Sequence, residues 1–579
     1  MSIVVARPMP GRRPAGQRHA LIQTAHVRLM ILLLLFTAAI MVVLIRLAAL
    51  AFVADSGTTR TAVIGENWSR ADIVDRNGEP LARTIEAWGI GVHPGKILGD
   101  KSQIADRLAQ LMPDHDAAYF YQRLTMDVNF TYLEHHASPS LVTQVHALGE
   151  PALTFEKEAE RLYPQSTMAA HVLGYLGHNK DDQRIIEGQG GIERAFEDRL
   201  TNPAERNTPL ALSLDYRVQA AMESELGAAM TTFAARGAAG IVLDVDTGEV
   251  ISMVSLPVFN PNRVGLSGSE QLRNNTTQSV YELGSTFKPI TVAAAIEFGV
   301  VKDISRPFDA TAPLKVGRFT IHDEAGDPKR WLNMPETLIY SSNVATARIA
   351  DELGPQRMQT MFRRLGLDTK PDIELREKGR PLWPKFWART TTMTTGFGHG
   401  IAITPLQLAA SYAALVNGGT WRPSTLLKVG PGHPVAPGRK VISDATSYRM
   451  RQMLRLIVLK GTGRKGEALG YRVAGKTGTG EVPTAGGYDR SRNMATFVAA
   501  FPIDHPRYVV LAMLDSPQGT KETGGWKTAA WNAAPVVGRV ISRVGGLLGV
   551  IPDLNVDIDE SDLLPLLWQA PGERTADAR

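Results

Sequence analysis

The chain has no cysteine among its 579 residues. It therefore has no disulfide bond, no thiol nucleophile and no thiolate ligand for a metal, a composition that suits an oxidising compartment in which thiols are avoided. Histidines are few, 13 in all, and they show none of the short spacings that bind zinc. The sequence therefore predicts neither a metal site nor a cofactor.

Acidic residues are missing from residues 1–28, a segment rich in Arg, Pro and Gly that we expect to be a flexible tail. The five arginines of this tail account for the net charge of +5, because the remaining 58 basic residues equal the 58 acidic ones. A neutral remainder excludes a basic nucleic-acid-binding surface on the folded part. A basic segment before an apolar run indicates instead the cytoplasmic flank of a membrane anchor.

Residues 29–53 are predicted to be that transmembrane anchor. Residues 29–45 contain nothing more polar than Thr37, and the apolar run resumes after Arg46. A helix of this length crosses a ~30 Å hydrocarbon core with some tilt. The alternative is a cleaved signal peptide, since Ala-Leu-Ala at 49–51 resembles a cleavage site, but the run exceeds the usual signal length. We expect a single-pass membrane protein with a cytoplasmic N-terminus, which places everything after about residue 55 on the outer side of the membrane.

Strand-like runs lie at both ends of the second half of the chain, with a mostly helical stretch of about 285–465 between them. The runs are residues 240–245, 249–255, 472–479, 495–501 and 508–514. Short links between neighbouring runs favour antiparallel pairing. We therefore predict an α+β domain over residues 210–550, with a five-stranded antiparallel sheet flanked by helices.

The region from 60 to 205 mixes helix-like and strand-like patterns and is predicted to be a separate domain. It opens with a hairpin whose turn is Asn77-Gly78 and contains a predicted helix over 104–112. Thr-Asn-Pro at 201–203 marks a domain junction near 200–210. The last segment, residues 551–579, is acidic and then polar, and is predicted to be a loosely ordered C-terminal tail.

Three polar motifs follow in order: Ser-Thr-Phe-Lys at 285–288, Ser-Ser-Asn at 341–343 and Lys-Thr-Gly-Thr at 476–479. On a helix, Ser285 and Lys288 share a face, and a helix N-terminus favours a developing negative charge on Ser285. Lys288 can serve as the base only if its pKa is lowered, and burial or a nearby cation such as Lys476 would lower it. A single motif also fits a capping serine and a solvated lysine, but the ordered set predicts a serine acyl-transfer site.

The second and third motifs supply a relay and a substrate anchor. Ser341 can pass a proton to a leaving amine, and the amide of Asn343 can hold Lys288 and the substrate. The same residues also suit the cap of a helix over 344–352, and both roles are compatible.

The third motif ends a predicted strand at which an extended peptide can pair if the strand edges the sheet. Lys476, Thr477 and Thr479 would bind a carboxylate, and Gly478 permits close backbone approach. The backbone N–H groups of Ser285 and Thr479 would form an oxyanion hole.

Together these motifs resemble those of the penicillin-binding proteins, specifically the class B monofunctional D,D-transpeptidases. Residues 281–288 are similar to the family pattern Y-E-P-G-S-T-x-K, with Leu283 in place of proline. Residues 396–407 are similar to G-x-G-Y-G-x-x-x-T-P-L-Q, with His399 in place of tyrosine, and 473–479 match without change.

The N-terminal half also resembles this family. Residues 73–82 are similar to a signature of its pedestal domain, although Ala71-Asp72 replaces the usual Gly-x, and 163–164, 170–175 and 191–193 resemble later signatures. The resemblance covers about residues 60–550. It implies a pedestal (dimerisation) domain over 60–205 and a transpeptidase domain over 210–550.

The resemblance implies cross-linking of peptidoglycan. Ser285 would attack the penultimate D-Ala carbonyl of a stem peptide ending in D-Ala-D-Ala, and an amine of a neighbouring stem would resolve the acyl-enzyme. β-Lactams would acylate the same serine. Within class B the chain is more similar to the division-specific group (penicillin-binding protein 3), which implies a septal role beside a polytopic glycosyltransferase and other division proteins.

Several alternatives stay open or are rejected on the residues. An elongation-specific class B enzyme and a non-catalytic division scaffold of the same fold both stay open. A class A enzyme is rejected because residues 196–199 (Phe-Glu-Asp-Arg) lack the continuation of a glycosyltransferase motif. A serine β-lactamase would have about half this length and no anchor.

Overall fold

The structure is a computed structural model that describes residues 27–44, 70–179, 186–324, 326–484 and 487–569. Val27–Leu44 forms a helix of 18 residues that is long and apolar enough to cross a membrane. This helix coincides with the first part of the predicted anchor. Residues 45–53 of the anchor, and all of the basic tail before Val27, lie outside the described residues.

The helices and strands alternate in groups along the chain. The described helices are α1 (Val27–Leu44), α2 (Lys101–Leu111), α3 (Ala117–Thr125), α4 (Pro139–His146), α5 (Ala170–Leu173), α6 (Gly191–Ala195), α7 (Glu197–Thr201), α8 (Tyr216–Thr232), α9 (Lys288–Glu297), α10 (Met334–Ile339), α11 (Asn343–Arg364), α12 (Arg389–Thr395), α13 (Pro405–Val416), α14 (Asp444–Lys460) and α15 (Ala533–Val544). The described strands are β1 (Ile73–Val74), β2 (Pro80–Val92), β3 (Thr131–Ala137), β4 (Leu153–Leu162), β5 (Leu176–His178), β6 (Ile186–Gly188), β7 (Leu210–Ala211), β8 (Gly237–Asp244), β9 (Val250–Leu256), β10 (Phe308–Asp309), β11 (Leu314–Val316), β12 (Phe319–Ile321), β13 (Trp331–Leu332), β14 (Thr420–Trp421), β15 (Arg439–Lys440), β16 (Ala474–Thr484), β17 (Gly487–Phe501) and β18 (Tyr508–Asp515).

The chain divides into two compact units. Among the described residues beyond α1, one unit contains Trp88–Ala159, and the other contains Arg70–Ala87 and the residues from Glu160 to Gln569. This division by packing groups residues 160–205 with the larger unit. The domain boundary predicted near 200–210 from sequence signatures therefore stays a prediction.

In the smaller unit, three helices pack around the paired ends of strands. Asp100, Asp116 and Ser138 cap α2, α3 and α4 through their side chains, which explains where each helix begins. Phe120 and Leu124 of α3 are fully buried together with apolar residues of the strands. The predicted helix over 104–112 corresponds to α2.

In the larger unit, β1 and β2 form the predicted hairpin, and Gly78 takes a φ of +92° in its turn. β7 pairs with β1 in parallel. Two short helices, α6 and α7, precede the predicted junction, and α7 ends at Thr201, before Pro203.

The larger unit is built on a five-stranded sheet in the order β16-β17-β18-β8-β9, and each neighbouring pair is antiparallel. The predicted α+β class and antiparallel sheet are confirmed. Helices α8 and α15 cover one face, while α13 packs against the other. Because both faces are covered, β8 and β9 are buried along nearly their whole length, and they read as continuous apolar runs.

Residues 551–569 pack against the helices of the larger unit. Arg455 in α14 donates to Asp557 at 2.6 Å, and Gln452 donates to the carbonyl of Asp559 at 2.6 Å. Asn333, the N-cap of α10, donates to the carbonyl of Leu566 at 2.7 Å. The prediction of a loosely ordered tail is therefore wrong for residues 551–569, and residues 570–579 lie outside the described residues.

Candidate active site

Ser285 lies on a tight turn that leads directly into a helix. Residues Gly284–Phe287 form one turn of 3-10 helix and α9 follows at Lys288. Gly284 has a φ of +54°, and a Cβ on it would lie 2.6 Å from the carbonyl oxygen of Thr479. Only glycine fits such a contact with a positive φ. Ser285 is half-buried, and its hydroxyl makes no hydrogen bond to another described residue.

The side chains of Lys288 and Lys476 meet at the hydroxyl of Ser341. Lys288 Nζ donates to Ser341 Oγ at 3.1 Å and also to the Ser341 carbonyl, and Lys476 Nζ donates to the same Oγ at 2.9 Å. Lys476 Nζ also donates to the carbonyl of Thr477 at 2.8 Å. Both lysines are fully buried. The structure thus brings one member of each motif to a single point.

Burial changes the acid–base chemistry of both lysines. It lowers the pKa of Lys288 from 10.5 to about 7, although Asp323, Asp327 and Glu324 raise it in opposition. Burial also lowers the pKa of Lys476, and the charge of Lys288 lowers it further. A lysine with a pKa near 7 is partly neutral at neutral pH and can accept a proton.

The Ser-Ser-Asn segment is held by an acidic loop that the sequence did not reveal. Ser342 caps α11 by accepting from Ala345 N at 3.0 Å, and it donates to Asp323 at 2.7 Å. Ser341, just before this cap, has a φ of +60°. Asn343 Nδ2 donates to the carbonyl of His322 at 3.0 Å, and the predicted contact with Lys288 is not among the hydrogen bonds of the described residues.

The third motif lies within β16, which continues to Thr484 instead of ending at Thr479 and is an edge strand of the five-stranded sheet. A Cβ on Gly478 would lie 2.4 Å from the carbonyl oxygen of Leu283, so the strand runs against the turn that carries Ser285. The Thr477 hydroxyl pairs with the hydroxyl of Thr462 at 2.7 Å, and Thr479 Oγ1 accepts weakly from Ala529 N at 3.4 Å. The pairing of Thr477 with Thr462 could not be read from the motif.

Asn343 lines a cleft of about 540 Å³. His399 and Glu481 line it together with Phe319 and Thr394. The sequence marked His399 only as a departure from a family pattern and did not mark Glu481. In the sequence, the position of His399 between two glycines is the signal that could have marked it as part of the site. The structure explains the first glycine, because a Cβ on Gly398 would lie 2.2 Å from the carbonyl oxygen of Gly284.

Comparison with known proteins places two domains on the chain. The family described as penicillin binding protein transpeptidase domain matches residues 238–536. The family described as penicillin-binding protein dimerisation domain matches residues 66–205.

Individual relatives are similar over most of their length. The chain is 39% identical over 497 residues to the probable peptidoglycan D,D-transpeptidase FtsI of Caulobacter vibrioides, covering 84% of this chain and 82% of the relative. It is 28% identical over 533 residues to the peptidoglycan D,D-transpeptidase FtsI of Escherichia coli, covering 88% of each.

The fold is similar to the crystal structure of penicillin binding protein 3 from Mycobacterium tuberculosis complexed with aztreonam. The TM-score is 0.65 at 25% identity, covering 85% of this chain and 98% of the other.

Proposed function

The chain belongs to the penicillin-binding protein transpeptidase family, and on this basis we propose that it is a serine-type peptidoglycan D,D-transpeptidase of septal wall synthesis. The observation that carries the proposal is the meeting of Lys288 and Lys476 at the hydroxyl of Ser341. Lys288 begins the helix that follows the Ser285 turn, and Lys476 lies on the strand that packs against that turn. The candidate base Lys288, the relay Ser341 and the second cation Lys476 thus lie close to the turn that carries the nucleophile, Ser285.

In the proposed acylation step, neutral Lys288 takes the proton of Ser285 as Oγ attacks the carbonyl of the penultimate D-Ala. The N–H groups of Ser285 and Thr479 stabilise the oxyanion. Ser341, between the two lysines, passes a proton to the amine of the departing D-Ala. The acyl-enzyme is then resolved by an amine of a second stem peptide.

Substrate and inhibitor share the same site in this proposal. Lys476, Thr477, Gly478 and Thr479 bind the terminal carboxylate beside an extended peptide on the edge of β16. Asn343 holds the peptide amide. A β-lactam acylates Ser285 because its ring amide takes the place of the D-Ala-D-Ala bond.

The cellular setting is proposed from the anchor and the relatives. Helix α1 with its basic flank supports a single-pass inner-membrane protein with a cytoplasmic N-terminus and a periplasmic catalytic domain. The similarity to two FtsI proteins supports a role in septal synthesis, with a polytopic glycosyltransferase and other division proteins as partners.

Labelling with a fluorescent penicillin tests the catalytic role. We expect the full-length wild type to be labelled and Ser285→Ala to lose all label, because no other nucleophile replaces the hydroxyl. Ser267→Ala is the matched control, since the Ser267 hydroxyl makes no hydrogen bond to a described residue, and it should label normally. An unlabelled wild type, or full label on Ser285→Ala, would contradict the proposal.

Depletion of the protein in cells tests the septal role separately. Filamentous cells are expected, because the lateral wall would still grow while septa would not close. Rounded cells would instead indicate the elongation-specific class.

A further inference from the structure

The cleft beside Asn343 contains polar groups that the acylation step does not use. His399 and Glu481 both line this cleft of about 540 Å³. Glu481 lies two residues beyond Thr479 on β16, past the carboxylate anchor. The acyl-enzyme that forms on Ser285 must be approached by a positively charged amine, and a cleft with a carboxylate suits that charge.

The position of His399 is fixed relative to the nucleophile. Gly398 lies directly on the backbone of Gly284, where a Cβ would come within 2.2 Å of the Gly284 oxygen. His399 N donates to the carbonyl of Thr394 at 3.0 Å, and its ring lies 5.3 Å from that of Phe397. The imidazole therefore sits on a turn that is packed against the residue preceding Ser285.

Burial favours the neutral form of this imidazole, whereas the charged groups around it act in opposite directions. Burial lowers the pKa of His399, and the charge of Lys288 on α9 lowers it further, while Glu481 on β16 raises it. His322, on the loop after β12, lines the same cleft. A neutral imidazole has one ring nitrogen able to accept a proton at neutral pH.

We propose that the cleft binds the acyl acceptor, an amine-bearing stem peptide, and that His399 is the catalytic base that deprotonates its ammonium group while Glu481 holds the ammonium in place. This inference rests on the proposed function. The N–H bond of the ammonium breaks and its proton moves to the imidazole. The free amine then attacks the ester carbonyl, so that a C–N bond forms and the bond to Ser285 Oγ breaks.

The protons balance in this step. The second proton of the amine reaches Ser285 Oγ through Ser341 and Lys288, which restores the hydroxyl. The imidazolium releases its proton to solvent. The net products are the cross-linking amide, free enzyme and one proton.

The test separates aminolysis from acylation. The full-length protein is acylated with an N-acyl-D-alanyl thioester and offered D-alanine as the acceptor, and the ratio of dipeptide to hydrolysed acid is measured. We expect His399→Gln to lower this ratio by about 10²-fold at pH 7, the usual contribution of a general base. Because dipeptide and acid form from the same acyl-enzyme, their ratio does not depend on how fast that acyl-enzyme forms.

The dependence on pH distinguishes a base from a structural residue. In His399→Gln the ratio should recover as the pH rises towards the pKa of the amine, because free amine then forms without the imidazole. His399→Tyr keeps an aromatic ring against Phe397 but cannot accept a proton at pH 7. Its ratio of dipeptide to acid should therefore also be low at pH 7 and increase at high pH. A ratio unchanged in both variants, or a loss without recovery at high pH, would overturn the role of His399.

Two further variants sharpen the result. Glu481→Gln should raise the D-alanine concentration needed for half-maximal aminolysis by about tenfold with the maximum unchanged, as expected for a lost charged hydrogen bond. His505→Gln, at an exposed histidine on the β17–β18 loop, should behave as wild type. If the wild type is not labelled by penicillin, the proposed function fails. If it is labelled and the variants partition as wild type does, only the role of His399 fails.

Discussion

Two groups of buried cations in the larger unit have opposite surroundings. Arg70 and Arg161 both contact the fully buried Glu193, at 2.9 and 2.7 Å, and Arg70 also contacts Glu197 at 2.7 Å. Lys288 and Lys476 are as deeply buried, yet they donate to hydroxyl and carbonyl oxygens and form no ion pair with a described carboxylate. The first group is arranged to keep its charge, and the second to lose it.

The pKa shifts follow this difference. Burial alone would lower the pKa of Arg70, but Glu197 and Glu193 outweigh it and raise the pKa. Burial lowers the pKa of Lys288 to about 7, and the acidic loop only partly opposes it. Arginine suits the first group because it stays charged and binds carboxylates with two N–H groups, whereas lysine suits the second because it can release its proton.

The largest expected effect comes from breaking the paired group. Glu193→Ala would leave Arg70 and Arg161 buried without their shared carboxylate, and removal of one partner from a buried pair costs about 3–5 kcal/mol. We expect a clear fall in the melting temperature of the full-length protein. Arg83→Ala is the control, because its ion pair with Asp72 lies at the surface and such a pair contributes about 1 kcal/mol or less. Equal melting temperatures for the two variants would contradict the comparison.

Removing a lysine from the second group should increase the stability of the protein instead of lowering it. A lysine whose pKa falls from 10.5 to about 7 on folding destabilises the protein below pH 10.5, and most strongly below pH 7, because the unfolded chain binds the proton more tightly. Lys288→Met removes that cost, so we expect the free energy of unfolding at pH 6 to rise by about 2 kcal/mol after the loss of hydrogen bonds to Ser341. The gain should shrink as the pH rises towards 10.5.

The same variant should be acylated by penicillin about 10³-fold more slowly, since the proposed proton acceptor is gone. Thermal melting and labelling rates measured on one preparation check both effects. A melting temperature of Lys288→Met below that of the wild type at pH 6 would show that Lys288 stabilises the fold instead of destabilising it.

The smallest expected effect is a shift in pH dependence. The rate of acylation should rise with pH around a midpoint near 7, because in the proposed mechanism only neutral Lys288 accepts the proton of Ser285. The carboxylate of Asp327 raises the pKa of Lys288, so Asp327→Asn should move the midpoint to lower pH. The exposed Asp303 serves as the control, and Asp303→Asn should leave the midpoint unchanged. A midpoint that stays or moves to higher pH in Asp327→Asn would show that the acidic loop does not act on Lys288.

Local patterns allowed much of the fold to be predicted. The apolar runs predicted the central strands, and the Asn77-Gly78 turn predicted a hairpin, because turn chemistry and apolar runs act over a few neighbouring residues. The tail after residue 551 was mispredicted because its acidic side chains are stabilised by distant partners such as Arg455. A hydrogen bond between residues about 100 positions apart produces no periodic pattern in the sequence.

For the candidate site, the reactive groups could be identified from the sequence: a serine and a lysine one helical turn apart, a capping Ser-Ser-Asn, and a Lys-Thr-Gly on a strand. Their arrangement depends on three-dimensional packing, which brings Lys288 and Lys476 together at Ser341, places Asp323 against Ser342, and lines one cleft with His399 and Glu481. The physical reason is that side-chain type is a local property, whereas burial and the distance between charges depend on packing of the whole unit. Those two quantities set the pKa values on which the chemistry depends.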